Sequence, residues 1–488
     1  MESEMEHSKT GVVGLFRLRV KSAMGNATAR ISTAGRDIVE VGKDDPRRAI
    51  HSLKVGLTLT LVSLIYYYQP LYTNFGATAM WAVMTVVVVF EFSVGATLSK
   101  GLNRGLATLF AGALGVGAHH LACMSGKIGE PILLGFFVFL QAAATTFMRF
   151  FPGIKARYDY GMLIFILTFS LVSVSGYRYD EILTMAHRRL STIFIGGATC
   201  VIVSIVVCPV WAGEDLHNLI ALNMEKLGNF LEGFGDEFFG ASADTDHAGT
   251  TADRSKSLRG YKTVLVSKST EETMANFARW EPSHGEFRFR HPWKLYLELG
   301  ALTRECAYRI EALDGYLNAN LQVPAAARES IEGVCRDVSS EAAKALKEMA
   351  VSVRTMTRHA ALADPDLLLG DCHDAVKDLK ALLKASQWKE TDLLAAVPLF
   401  TVTSLLIDVV KCTEKIAERV QELSSLANFR EVEPTSLLEK PAPRAGGKNK
   451  VPKPAVVPDV ECPPPHIVLT VHEMAPENGR APAPLNTS

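Results

Sequence analysis

"ATAMWAVMTVVVVFEFSVGATLSKGLNRG", residues 77–105, decides the reading of the chain. From Met80 to Phe90 every residue is apolar except Thr85. With its softer flanks the run reaches about 22 residues, and a helix needs about 20 to cross a hydrocarbon core. A membrane-spanning helix is therefore expected over Ala77–Leu98. Its inner part carries an acid, Glu91, and its end carries Lys100 and Arg104 interleaved with Gly95, Gly101 and Gly105. Charges at that depth are costly and call for a role.

Outward from this stretch, apolar runs of helical length number six: Leu53–Tyr68, Ala77–Leu98, Arg104–Cys123, Pro131–Phe150, Tyr158–Ser175 and Leu190–Val210. Cations fall in alternate connections: Lys43, Arg47 and Arg48 before the first, Lys100 and Arg104 between the second and third, Arg149, Lys155 and Arg157 between the fourth and fifth. By the positive-inside rule these connections are cytosolic. Tyr66, Tyr67, Tyr68 and Tyr72 then form an outer interfacial belt, and an even span count leaves both termini in the cytosol. Residues 1–46 lack the pattern of a cleaved signal peptide; Val12–Val20 reads either as a surface-lying segment or as a disordered tail.

The 488 residues are 48% hydrophobic with a mean hydropathy of +0.14, mild enough that only part of the chain belongs in lipid. Past Pro209 and Trp211, Glu214 and Asp215 open an amphipathic helix where its dipole favours them. Leu295, Leu299, Leu302, Cys306, Ile310, Leu313 and Leu317 recur at helical spacing. No strand alternation or dinucleotide glycine motif is present. Leu393–Val410 is apolar, but it holds Pro398 and Asp408 and runs into a charged amphipathic continuation, which predicts a buried core helix and not a seventh span. Twelve of the 22 prolines lie in the last 55 residues, so that tail is expected to be extended or disordered. The expected fold class is an all-α membrane protein: residues 1–46 a cytosolic segment, 47–211 six transmembrane helices, 212–430 a cytosolic helical bundle, 431–488 a disordered proline-rich tail.

Two features bear on function. The connection 176–190 should be poor in cations yet carries Arg178, Arg188 and Arg189, with Asp180 and Glu181 nearby. Cations at both mouths of a bundle raise the local anion concentration and replace lost hydration, as an anion pathway requires. The structural alternative is that Lys54, Lys100, Arg104, Arg149 and Arg157 only obey the inside rule and bind lipid phosphate. Glu91 likewise reads as an ion-pair partner of Lys54 or Arg104, or as a proton-coupling acid. The eight cysteines show no CxxC pair and read as reduced thiols. His119 and His120 at an outer helix end, and His284 and His291 about a turn, have no partner at the usual metal spacing, so no metal, cofactor or catalytic constellation is expected. The net charge of −1 implies no nucleic-acid partner.

"YYYQPLY", "MWAVMTVVVVFEFSVGATLSKGLNRG", "RFFPGIKARYDYGMLIFILTFSLVSVSGYR", "RLSTIFIGG", "CPVWAGEDLH" and "FARWEPSHGEFRFRHPWKLY", in that order, resemble the plant aluminium-activated malate transporter family over about residues 40–430. The resemblance implies a homodimeric anion channel for malate and other small anions, in contact with membrane lipid, at the plasma membrane ahead of the vacuolar membrane. It carries pore cations onto Lys100, Arg104, Arg188 and Arg189, with Lys54 a weaker match, and a transport-linked acid onto Glu281 in the Trp280-Glu281-Pro282 motif. Asp180 and Glu181 stand where aluminium-responsive relatives carry a denser group of carboxylates, so activation by aluminium is not implied. The alternatives are a proton-coupled carrier of organic or aromatic acids, with Glu91 taking the proton, and a membrane-anchored scaffold, which leaves the outer arginines unexplained.

Overall fold

The structure is a computed structural model that describes residues 45–68, 80–176, 182–239, 258–288, 290–317, 325–358, 365–384 and 393–431, with a few isolated positions before them. The segment 12–20, Tyr72, the connection with Asp180 and Glu181, the polar loop at 241–256 and the proline-rich tail lie outside the described residues, as do the side chains of Tyr66 and Arg188. By its contacts the chain divides into residues 1–53 with 458–488, and residues 54–457. The second unit holds all the helices from residue 54 onward.

Six helices come first: α1 Pro46–Tyr67, α2 Met80–Val89, α3 Val94–Cys123, α4 Gly126–Met148, α5 Pro152–Gly176 and α6 Ile182–Val206. Around α3 pack α4, α5 and α6, and α2 packs on α6. These helices turn large apolar side chains outward: Leu106, Phe110 and Leu114 on α3, Ile132, Phe136 and Phe139 on α4, Phe194 and Ile202 on α6 are all exposed. A soluble bundle would bury such residues, whereas lipid-facing helices present them.

The opening stretch departs from expectation. It is two helices and not one: α2 has 10 residues, about 15 Å or half a hydrocarbon core, and the chain then leaves the helix at Phe90–Ser93 before α3 begins. Polar side chains explain the break. The Ser93 hydroxyl caps α3 by accepting from the Ala96 N–H at 3.3 Å. Thr97 Oγ1 accepts from the Glu91 N–H at 3.1 Å and donates to the Ser93 carbonyl at 3.0 Å. The Val94 N–H donates to the Val210 carbonyl at 2.9 Å. With its backbone groups satisfied inside protein, a non-helical turn is tolerated at membrane depth. Lys100 and Arg104, expected on a connection between two spans, therefore lie within the 30-residue α3.

Among the described residues, five helices are long and apolar enough to cross a membrane: Val94–Cys123, Ile128–Met148, Arg157–Val174, Arg189–Val206 and Ala396–Leu426. The first four coincide with the expected third to sixth spans. The fifth packs elsewhere, in the core of the second half of the chain.

The described residues of that second half are mostly helical: α7 Ala212–Phe239, the short α8 Lys262–Leu265, α9 Lys268–Ala278, α10 Trp293–Leu317, α11 Ala325–Thr355, the short α12 Pro365–Leu368, α13 Gly370–Lys384 and α14 Leu393–Leu426. One core runs through it, with Leu216, Met224 and Leu227 of α7, Leu299, Cys306 and Ile310 of α10, Leu346 and Met349 of α11, and Leu399, Val402, Leu406 and Ile416 of α14. The apolar face of α14 is thus covered by α10 and α11. The leucines expected on one face of α10 are buried or partly buried in this core. Strand structure among the described residues is limited to the two-residue parallel pair β1 Thr357–Arg358 and β2 Arg430–Glu431. The chain is an all-α membrane protein.

Candidate functional site

Three of the expected cations meet inside the first bundle. Lys100 sits about two turns and Arg104 about three turns into α3. Arg104 is 6% exposed and Arg189 is 8% exposed. Arg104 Nη1 donates to the Tyr160 hydroxyl of α5 at 3.1 Å, and its Nε has no hydrogen-bond partner. The Arg189 guanidinium lies 4.2 Å from the Trp81 ring centre of α2, a cation–π contact. The two side chains are carried by α3 and α6, which pack together. Neither has a carboxylate within ion-pair distance among the described residues. Arg189 lies within α6, about 17 residues before its end, and faces Trp81 of α2.

Glu91 does form an ion pair, but with Lys100 and not with Lys54 or Arg104. Glu91 lies in the break and Lys100 on the second turn of α3, so the break itself brings them together. Lys100 also stands 5.7 Å over the Tyr160 ring. Lys54, 2% exposed, donates to the Cys208 carbonyl at 2.7 Å, at the far end of α6. It is a brace between helix ends, away from the Arg104–Arg189 pair. Arg149 forms a two-bond pair with Asp159, at 2.7 and 3.1 Å, which ties α4 to α5.

A second cluster joins the bundle to the helical domain. Glu281 is 6% exposed, and its carboxylate accepts three backbone N–H bonds: from Ala212 at 2.6 Å, Gly213 at 3.0 Å and Gly95 at 3.3 Å. Those amides open α7 and α3, so one side chain holds the positive ends of two helices. Only glycine fits at both contacts. A Cβ on Gly95 would stand 2.4 Å from the Phe277 carbonyl, and one on Gly213 would stand 2.4 Å from Trp293. Burial pushes the Glu281 carboxyl up to about 7, against the pull of the three N–H donors. The Glu281 side chain thus forms a two-helix joint. Trp211 stacks on His284 with ring centres 3.8 Å apart. His284 Nε2 lies 4.0 Å from Glu281. Behind it, His217 Nδ1 and His291 Nε2 sit 2.8 and 3.1 Å from the Tyr296 hydroxyl. Burial lowers both histidines to about 4, so they are neutral near pH 7.

Sequence reading missed two things. The Glu281 joint is assembled from backbone amides, which leave no side-chain signal. His119 and Cys123, four apart on α3, converge with Glu130 of α4; the i,i+4 spacing was the available signal.

The first bundle buries two arginines and is joined through Glu281 to the helical domain. The comparison of sequences gives the family. The profile described as "Aluminium activated malate transporter" matches residues 39–387 and 382–424, and the chain belongs to that family; it is a transporter and not an enzyme. It is 57% identical over 390 residues to aluminum-activated malate transporter 2 of Arabidopsis thaliana, covering 80% of this chain and 77% of that protein. It is 53% identical to aluminum-activated malate transporter 1 of Arabidopsis thaliana, with 83% and 82% covered, and 42% identical to aluminum-activated malate transporter 1 of Triticum aestivum, with 88% and 94% covered.

Proposed function

We propose that the chain is a malate-permeable anion channel of the plasma membrane that acts as a homodimer with both termini cytosolic, its pathway passing the Arg104–Arg189 pair. One observation carries this: two guanidiniums are buried on α3 and α6, which pack together, with no carboxylate in ion-pair reach among the described residues. A buried unpaired charge costs several kcal/mol, and a passing anion is the counterion that offsets it. Lys100, half-shielded by Glu91 and Tyr160, stands one turn before Arg104 as the next step. Arg188, beside Arg189 in sequence, adds to the positive charge of α6, while Lys54 contributes through packing. The names of the relatives support malate as the substrate. The proton-coupled carrier reading needs Glu91 to take a proton, and Glu91 is instead engaged in an ion pair with Lys100. For the scaffold reading, the two arginines are only a cost.

The test is Arg189→Gln and Arg104→Gln, made singly, with surface protein measured alongside current. At an effective dielectric of about 20, a unit charge about 6 Å from the ion contributes roughly 3 kcal/mol before screening. A third of that is about fivefold in occupancy for a monovalent anion and the square of that for a dianion. The malate-to-chloride permeability ratio should therefore fall in each variant. Normal surface protein with an unchanged ratio in both would refute the pathway. Currents that follow the proton gradient instead of reversing at the anion's equilibrium potential would favour the carrier.

A further inference from the structure

At the far end of α3 from the Glu281 joint, about 40 Å along the helix axis, three side chains converge. His119 and Cys123 share a face of the last turns of α3. The chain reverses through Met124 and Ser125 into α4, with Gly126 at φ +75°, and this brings Glu130 alongside. Cys123 Sγ lies 3.3 Å from His119 Nε2 and 3.7 Å from Glu130 Oε1, and His119 Nδ1 lies 3.9 Å from Glu130 Oε1. One donor atom from each residue falls within 4.8 Å of the others. Zinc bonds of about 2.0–2.3 Å at tetrahedral angles require donor atoms about 3.3–3.8 Å apart. With a single nitrogen of His119 as the ligand, the three donor atoms lie within 4.8 Å of one another, about 1 Å wider than that spacing, so small side-chain rotations close the site. His119 Nδ1 is buried without a hydrogen-bond partner, which is costly unless something occupies it.

From this geometry we infer that His119, Cys123 and Glu130 form a binding site for a borderline divalent cation of the zinc type. The donor set decides the class. Thiolate and imidazole select zinc-like ions, whereas magnesium, calcium and trivalent aluminium prefer oxygen alone. Three protein ligands leave one tetrahedral position for water or an anion. Binding ties the end of α3 to the start of α4 and releases the thiol proton to solvent, so affinity rises with pH.

The experiment is a zinc titration of the full-length chain in detergent, stripped of metal and read against a competing chelating dye, with cobalt as a spectroscopic stand-in. One tight zinc per chain is expected, together with a thiolate-to-cobalt charge-transfer band. Cys123→Ser should abolish the band and weaken zinc by about a hundredfold or more, since even partners one shell further out cost ten- to a hundredfold. His119→Gln should weaken zinc similarly, and Glu130→Gln less. Cys208→Ser, which alters the other described thiol that is not buried, should leave both readouts unchanged. Absence of tight zinc in the wild-type chain, or zinc affinity and cobalt band unchanged in Cys123→Ser, would overturn the assignment. So would loss of both in Cys208→Ser alone.

Discussion

Replacing Glu281 by Gln keeps the size of the side chain at the joint and removes its charge. In the wild-type chain the carboxylate receives N–H bonds at 2.6, 3.0 and 3.3 Å from Ala212, Gly213 and Gly95. A carboxamide has one acceptor oxygen, so its NH2 must face at least one of these amides. Hydrogen bonds to a charged group contribute about 1.5–3 kcal/mol each, and losing one while adding a donor–donor contact costs about 3 kcal/mol. The neutral side chain also escapes the desolvation that lifts the carboxyl from 4.5 to about 7. Each pH unit of that rise is about 1.4 kcal/mol, so the relief is again about 3 kcal/mol. The two effects nearly cancel in total stability, but they do not cancel in geometry, because the amide cannot hold both helix N-termini at once. Surface expression should therefore stay near normal while current falls several-fold. Glu281→Ala differs, since it leaves three buried N–H groups unpaired at about 1–3 kcal/mol each, and protein abundance itself should drop. The linkage adds a second readout. Because the folded pKa lies above the ordinary value, this group's stabilising contribution is full below pH 4.5 and is lost as pH rises through 7. In the Glu281→Gln variant that dependence should vanish from the melting curves of the purified chain. Normal current in Glu281→Gln, or a current loss matched by loss of surface protein, would refute the two-helix joint.

Other expectations follow from the same geometry. Gly95→Ala places a methyl 2.4 Å from the Phe277 carbonyl, so α3 and α9 must separate; about 1–3 kcal/mol of destabilisation should appear as a lower melting temperature, and an unchanged one would contradict the close approach. Exchanging Glu91 and Lys100 should restore most of what either single substitution loses. Both side chains are about a third exposed, so a double-mutant cycle should give a coupling below about 1 kcal/mol. Failure of the exchange to rescue transport would instead favour Glu91 as a proton acceptor. His217, lowered to about 4 by burial, stabilises the fold above pH 6.5 and loses that contribution as pH falls toward 4. Measured in a Glu281→Gln background, which removes the opposing titration, His217→Gln should reduce the slope of melting temperature against pH in that window, leaving the share contributed by His291.

How far the sequence carried the reading depends on what each element is made of. Where a run of side chains decides the structure, as in the outward apolar faces of α4 and α6 or the inward leucines of α10, composition and spacing sufficed. Burial depends on how many apolar residues share a face, and that is written in the sequence. The stretch 77–105 shows the limit, because its hydropathy runs on through Phe90 while its backbone does not. What ends α2 is a Thr97 hydroxyl, a Ser93 cap and a carbonyl from Val210 more than a hundred residues away, and no local average registers them. That break moves everything after it. It puts Lys100 and Arg104 on a helix instead of a connection, gives Glu91 to Lys100, and lets Trp81 of the short α2 meet Arg189 of α6. Two charge groups that sequence order assigns to opposite mouths thereby share one interior, with only Tyr160 and Trp81 to face them among the partners described. If α2 continued unbroken into α3, as hydropathy alone suggests, the Glu91–Lys100 pair would lie along one helix at a separation of nine residues. That is about 13 Å of rise, too far for the contact observed. The ion pair and the break are therefore one observation, and the position of Arg104 relative to Arg189 rests on both.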